Sequence, residues 1–313
     1  MNRKLFIRRI LIRLNRLKDW LIAQFVFAIL AILRRVPVLT AIRMTENLAR
    51  KLGPQSARHR LVLHNLELAF PEKSQAERDA IALEMWSNMA RLVTEYIFVE
   101  TLTGHDLESG NGGMIEIKGS DLFLDLRDNP RPFIVFTAHT GNFELLPIVA
   151  AKYGLNVTAL FRPPNNPYIA QRLQSARTTH MGELVPSQLG GASWALASAL
   201  DDNRGIGLLV DQKDPRGKRT TFFGHDVRTN PLLVRLARLY ECEVYPARSI
   251  RLPGGRFRLE IEPPIEIPRN EKGEMDIEAT TQLLNDKVES WVREYPGQWQ
   301  WFHDRWNIKY TLR

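Results

Sequence analysis

Residues 132–146 read PFIVFTAHTGNFELL. The first six are an unbroken apolar run rich in aromatic and β-branched side chains, the pattern of a buried strand. That strand delivers His139 to its C-terminal end. A helix is expected over 141–153, closed by Gly154 at its C-terminal cap. Thr140 is placed to cap it, and Glu144 falls in its first turn, where the helix dipole favours a carboxylate. On one continuous helix His139 and Glu144 would point about 140° apart. They converge only if His139 precedes the helix, in the turn. A histidine beside a carboxylate is the arrangement for a general base acting on a hydroxyl, with the carboxylate orienting the ring and stabilising the imidazolium. The competing reading is a histidine satisfied by local hydrogen bonds.

Outward from this stretch, strands are expected at 114–117, 157–161, 206–210, 244–250 and 256–261. Helices are expected at 167–180, 192–201, 231–240 and 276–293. Residues 41–102 read as helices, with Pro71 stopping one and Ser74 capping the next, and TGHDLESGNGG (103–113) reads as a loop. Alternation of strand and helix predicts an α/β fold: a central, mostly parallel or mixed sheet flanked by helices. Three parts are expected: an N-terminal membrane helix (1–40), a helical segment packed on the core (41–110) and the α/β core (111–313).

The 313 residues are 44% hydrophobic and 25% charged, which excludes a disordered or collagen-like chain. One cysteine, Cys242, excludes a disulfide framework or a thiolate metal cluster. The net charge is +8, yet the first sixty residues hold fourteen Lys and Arg against only Asp19 and Glu46, so the remainder is net acidic. A nucleic-acid enzyme spreads basic charge around its groove. Here it lies beside apolar residues, as for a membrane surface. Ile7, Ile10, Leu11, Leu14, Leu17 and Leu21 recur at helical spacing, with Arg9, Arg13 and Arg16 opposite. The uncharged run 20–33 has fourteen residues, about 21 Å of helix against a hydrocarbon core of about 30 Å. A crossing is marginal, and a retained anchor lying in the interface is expected. The alternative is a core helix with charged ends.

Other catalytic signatures fail. The H-x-x-x-x-E spacing does not place two metal ligands on one helical face, GGASW is not G-x-S-x-G, and no phosphate loop ends G-K-[ST]. Cys242 reads as core packing.

H-x-x-x-x-E after a buried strand resembles the late acyltransferases of lipid A biosynthesis, the lauroyl/myristoyl transferase family. Relatives acylating glycerol phosphates usually carry Asp at the position of Glu144. Further blocks resemble the family in its order: NLELAFPEKSQAER (65–78), NMARLVTEY (88–96), FRPPNNPY (161–168), VDQKDPRG (210–217), TTFFGHDVRTNP (220–231) and YPGQWQWFHDRW (295–306). Val210 stands where Pro is common, and Val227 where Ala is.

The resemblance implies that His139 and Glu144 are the catalytic pair and that Arg162, Arg177 and Asp211 bind substrate. An arginine near the base suits an acceptor phosphate or a developing oxyanion. Asp211 ends a buried strand at the edge where α/β proteins place their sites. Arg177, on a polar helix, is the one most readily read as a solvated face. Trp299, Trp301, His303 and Arg305 read as C-terminal packing.

The implied reaction transfers a fatty acyl chain from an acyl-carrier protein to a hydroxyl of a lipid A precursor. It needs no metal or redox cofactor, because a thioester is already activated. The implied setting is the cytoplasmic face of a bacterial inner membrane, on anionic lipids, with no nucleic-acid partner. Two alternatives are an acyltransferase for another glycolipid or lysophospholipid, and a non-catalytic lipid-binding protein on the same scaffold.

Overall fold

A computed structural model describes residues 3–104, 113–187 and 191–307. Most of the loop expected over 103–113 lies outside them, as do the side chains of Ile7 and Arg9. The strands in chain order are β1 (Ile115–Lys118), β2 (Phe133–Thr137), β3 (Val157–Phe161), β4 (Glu183–Pro186), β5 (Gly205–Leu209), β6 (Lys213–Phe222), β7 (His225–Thr229), β8 (Glu243–Arg251) and β9 (Phe257–Ile261). Seven form one mixed sheet in the order β1-β9-β8-β2-β5-β3-β4. Every neighbouring pair is parallel except β8 and β9. The other two, β6 and β7, make a separate antiparallel hairpin.

The helices are α1 (Arg3–Leu33), α2 (Val38–Leu52), α3 (His59–Ala69), α4 (Gln75–Ile97), α5 (Val99–Thr103), α6 (Ser120–Asp128), α7 (Leu145–Lys152), α8 (Pro167–His180), α9 (Ala192–Asp201), α10 (Leu232–Tyr240) and α11 (Ile277–Glu294). The α/β expectation holds. Ser74 caps α4 as its sequence predicts: its hydroxyl accepts from the Glu77 amide at 3.3 Å, and Glu77 accepts from the Ser74 amide at 2.8 Å, a reciprocal capping box.

Side chains alternate across β2. Ile134 and Phe136 are fully buried and join the main core with Leu196, Ile206, Val234, Leu284 and Val288, from α9, β5, α10 and α11. Val135 and Thr137 face the opposite side, toward α6 and α7. There the sheet is lined by small residues, Ala159, Gly207 and Ala247, and the layers stay apart.

Two local expectations are corrected. The helix after β2 begins at Leu145, four residues later than expected, and Thr140 does not cap it. Gly141 takes φ +56°, and a Cβ there would stand 2.1 Å from the Ser249 carbonyl oxygen. Only glycine tolerates that turn. Its amide donates to the Gln298 carbonyl at 2.9 Å, and Thr140 pairs with Trp299 in a β-bridge. Tertiary contact with the C-terminal segment thus replaces the first helical turn.

The N-terminal basic segment is part of one continuous 31-residue helix, about 46 Å long at 1.5 Å per residue. Ala23 and Leu33 are buried, whereas Leu11, Leu14, Leu17, Leu21, Phe25 and Ile32 are exposed. No helix among the described residues is long and apolar enough to cross a membrane. The helix docks on α8, where the Asn166 side-chain amide donates to the Asp19 carbonyl at 2.8 Å.

Candidate active site

β2 and β5 are adjacent and parallel, so the residues just beyond their C-terminal ends meet. The amide of Val210 donates to the Thr137 carbonyl at 3.1 Å and extends the ladder one step. Beyond it, Asp211 faces His139. One Asp211 oxygen lies 2.8 Å from His139 Nδ1, and the other accepts the His139 backbone amide at 2.9 Å and Trp299 Nε1 at 2.8 Å. Burial alone would raise the Asp211 carboxyl. The His139 ring and these hydrogen bonds outweigh burial and hold it well below the usual carboxylate range. An ionised carboxylate only accepts, so Nδ1 carries the ring proton and Nε2 presents its lone pair.

Glu144 sits at the N-terminal cap of α7 and is paired with Arg177 of α8, whose Nε also donates to its second oxygen at 3.2 Å. The two side chains are 12% and 13% exposed, so Arg177 is no solvated helix face. The guanidinium also lies over the Phe161 ring, 5.7 Å from its centroid. Burial and the nearby Glu144 charge push the Tyr96 phenol up to about 12, keeping it neutral beside the pair. Arg162, directly after β3, is exposed and shares the cavity wall with His139, Glu144 and Arg177.

The cavity measures about 530 Å³ and runs from His139 between the sheet and helices α6 and α7. Phe123, Leu146, Val149, Leu155, Leu209 and Ile261 supply much of its apolar wall. Its size and its few convergent polar groups at one end are those of a small-ligand pocket.

This strand–turn–helix site also has a sequence counterpart beyond single motifs. The family model for bacterial lipid A biosynthesis acyltransferases matches residues 9–308. The chain belongs to that family. It is 24% identical over 254 residues to a lipid A biosynthesis myristoyltransferase of Escherichia coli K12, covering 81% of this chain and 76% of that one. It is 25% identical over 254 residues to lipid A biosynthesis acyltransferase 1 of Shigella flexneri, with the same coverage. It is 26% identical over 270 residues to acyltransferase 2 of Shigella flexneri, covering 85% and 82%.

In this family member four of the five expected residues, His139, Glu144, Arg162 and Arg177, line the cavity, and Asp211 is hydrogen-bonded to His139. The carboxylate hydrogen-bonded to the His139 ring is Asp211, 72 residues away in sequence, while Glu144 engages Arg177. The C-terminal block also takes part. Trp299 is 1% exposed and packs among Phe222, Trp301 and Trp306, yet its indole N–H is spent on Asp211. His303 stands with its ring 5.6 Å from that of His139, and burial, the largest cause, pushes it down to about 4, so it is neutral.

A buried network holds the His139 turn from beneath. Asn142 donates to Glu95 at 2.9 Å, Glu95 is paired with Arg251, and Arg251 reaches the Gly141 carbonyl at 3.4 Å. Glu95 and Arg251 show no sequence signal of this role, since it depends on where α4 and β8 end.

Proposed function

We propose that this chain is a membrane-bound O-acyltransferase that moves a fatty acyl chain from an acyl-carrier thioester to a hydroxyl of a lipid A precursor. The observation that carries the reading is the His139–Asp211 pair at the polar end of an otherwise apolar cavity. The acyl chain lies between the sheet and α7, and its thioester carbonyl reaches His139. His139 Nε2 takes the proton of the acceptor hydroxyl as that oxygen attacks the carbonyl carbon. The C–S bond breaks, and the imidazolium returns the proton to the departing sulfur. Asp211 orients the ring and stabilises its charge, as in other histidine-base enzymes. Glu144 fixes Arg177, and Arg177 with Arg162 meets the phosphate of the acceptor or the carbonyl oxygen as it gains charge.

The exposed apolar residues of α1 suit a helix lying in the cytoplasmic leaflet of the inner membrane, its Lys and Arg on anionic headgroups. Because α1 docks on the helix that carries Arg177, the cavity mouth is held close to that surface. A single outward crossing would export a basic N-terminal segment, which the positive-inside rule disfavours.

The direct test is His139→Ala in purified enzyme, assayed for transfer from an acyl-carrier thioester to a lipid A precursor. General-base removal costs about 10²–10⁴-fold. A variant that keeps half the wild-type rate sinks the assignment. Parallel assays with a lysophospholipid acceptor check the acceptor class.

A further inference from the structure

The position that the acceptor hydroxyl must occupy is already filled. Gln212, the residue after Asp211, places its side-chain nitrogen 3.2 Å from His139 Nε2 and 3.4 Å from His303 Nε2. Because Nδ1 of His139 holds the proton on Asp211, Nε2 is an acceptor, and the group facing it is the Gln212 amide donor. The site's base is therefore covered on its reactive side by a neutral donor. Gln212 is exposed, so this is also the side from which solvent arrives.

Resting on the reading of His139 as the base, we propose that Gln212 is a guard on its lone pair. Its amide keeps water off Nε2 while a thioester waits in the cavity, and the incoming acceptor hydroxyl displaces it. His303, which is neutral, stands beside it, with Nε2 3.4 Å from the Gln212 nitrogen and 3.3 Å from the Gln300 side-chain oxygen. The charged or titratable groups around this corner are Asp211 beyond β5, Lys213 and Asp214 at the start of β6, Arg162 beyond β3, the Glu144–Arg177 pair of the cavity wall, and His303, Asp304 and Arg58 from the C-terminal segment and the start of α3.

The guard separates two balanced reactions. With the acceptor alcohol, the thioester gives ester and thiol. With water it gives a free fatty acid and thiol, and the activated chain is lost. Excluding water from a site that holds a reactive acyl group is a recurrent demand on transferases.

The test uses the full-length enzyme and lauroyl-coenzyme A as the probe thioester, reading thiol release without acceptor and ester formation with a lipid A precursor. Gln212→Ala is expected to raise hydrolysis per transfer about fivefold, the size of one neutral hydrogen bond. The acid limb of the rate profile is expected to move up by about 0.7 pH unit, because the lone pair has lost a donor. Gln212→Met keeps the bulk without the N–H, so it should move the limb and leak less than Ala. A purely structural role would slow both reactions together and move no limb; that result overturns the proposal. His139→Ala runs alongside. If it still releases thiol at the wild-type rate, the base assignment fails and the guard with it. If it is inactive while the Gln212 variants match wild type in ratio and limb, the guard alone is refuted.

Discussion

Asp211→Asn isolates the orienting carboxylate with almost no change of shape. The carboxylate takes the His139 ring, the His139 amide and the Trp299 indole. An asparagine oxygen can still accept the amide and the indole. Its nitrogen then faces His139 Nδ1 and, as a donor, forces that nitrogen to become the acceptor. The ring proton moves to Nε2, and the base no longer has its lone pair toward the substrate. In histidine-base sites a tautomer error of this kind costs about 10⁴-fold with the geometry intact, roughly 5 kcal/mol of barrier. Folding should lose less, about 1–3 kcal/mol for exchanging a charged acceptor for a neutral one, so circular dichroism should report a folded protein. The assay is single-turnover transfer from a saturating thioester. Glu144→Gln provides the contrast: it weakens the hold on Arg177 but leaves the His139 tautomer alone, so its loss should be smaller. If Asp211→Asn stays within tenfold of wild type while Glu144→Gln falls further, Glu144 is the working partner of His139 and the role given to Asp211 is refuted.

Three further outcomes are expected. Gly207→Val puts a branched side chain into the cavity, where a Cβ alone already stands 3.3 Å from Val157, and donor preference measured over a series of acyl lengths should move to shorter chains; an unmoved preference would place the acyl chain elsewhere. His303 ionises near 6.5 when unfolded and at about 4 when folded, so the unfolded chain binds more protons between those values. Stability from this group is complete above pH 6.5 and falls on acidification by on the order of 3 kcal/mol; His303→Asn should flatten that part of the stability curve in urea titrations. Leu14→Glu with Phe25→Glu changes two exposed residues of α1, and flotation with anionic vesicles should lose most of the bound protein while thermal unfolding is unchanged; undiminished flotation would remove α1 as the binding surface.

The sheet and the site histidine were readable because their signals are local. PFIVFT has the composition of a buried strand, and the residue at its end is fixed by counting along the chain. The four missed elements, β4, α6 and the β6–β7 hairpin, lack such signals. β4 is short, at Glu183–Pro186, and α6 is nine residues with four charges, Asp121, Asp125, Arg127 and Asp128. β6 is broken by a register shift between Lys213 and Lys218 and carries its charges outward, so its pattern does not alternate cleanly. The carboxylate hydrogen-bonded to the His139 ring was hidden for a related reason. A spacing of five suggested a local pair, whereas the contact depends on β5 lying next to β2, and neighbourhood in a sheet is not written in either strand. The usable signal was positional: Asp211 and His139 each follow a buried strand at the same edge.

The C-terminal block shows why packing and catalysis are poor alternatives at such a site. Trp299 has the burial expected of a core residue, and its only polar atom sits on Asp211. Gln298 from the same block accepts the Arg251 amide at 2.8 Å, donates back to the Arg251 carbonyl at 3.1 Å, and receives Gly141 on its own carbonyl. Arg251 is 4% exposed and its partner Glu95 is 2% exposed. A buried ion pair of that kind repays its desolvation poorly as a source of stability, and apolar residues of similar size would fill the same space. What such residues would lack are the directed bonds to Asn142 and to the Gly141 carbonyl. Those bonds hold the turn that sets where His139 points. The pair is therefore best understood as the mount of the His139 turn, and the C-terminal segment as the clamp that joins that turn to β8.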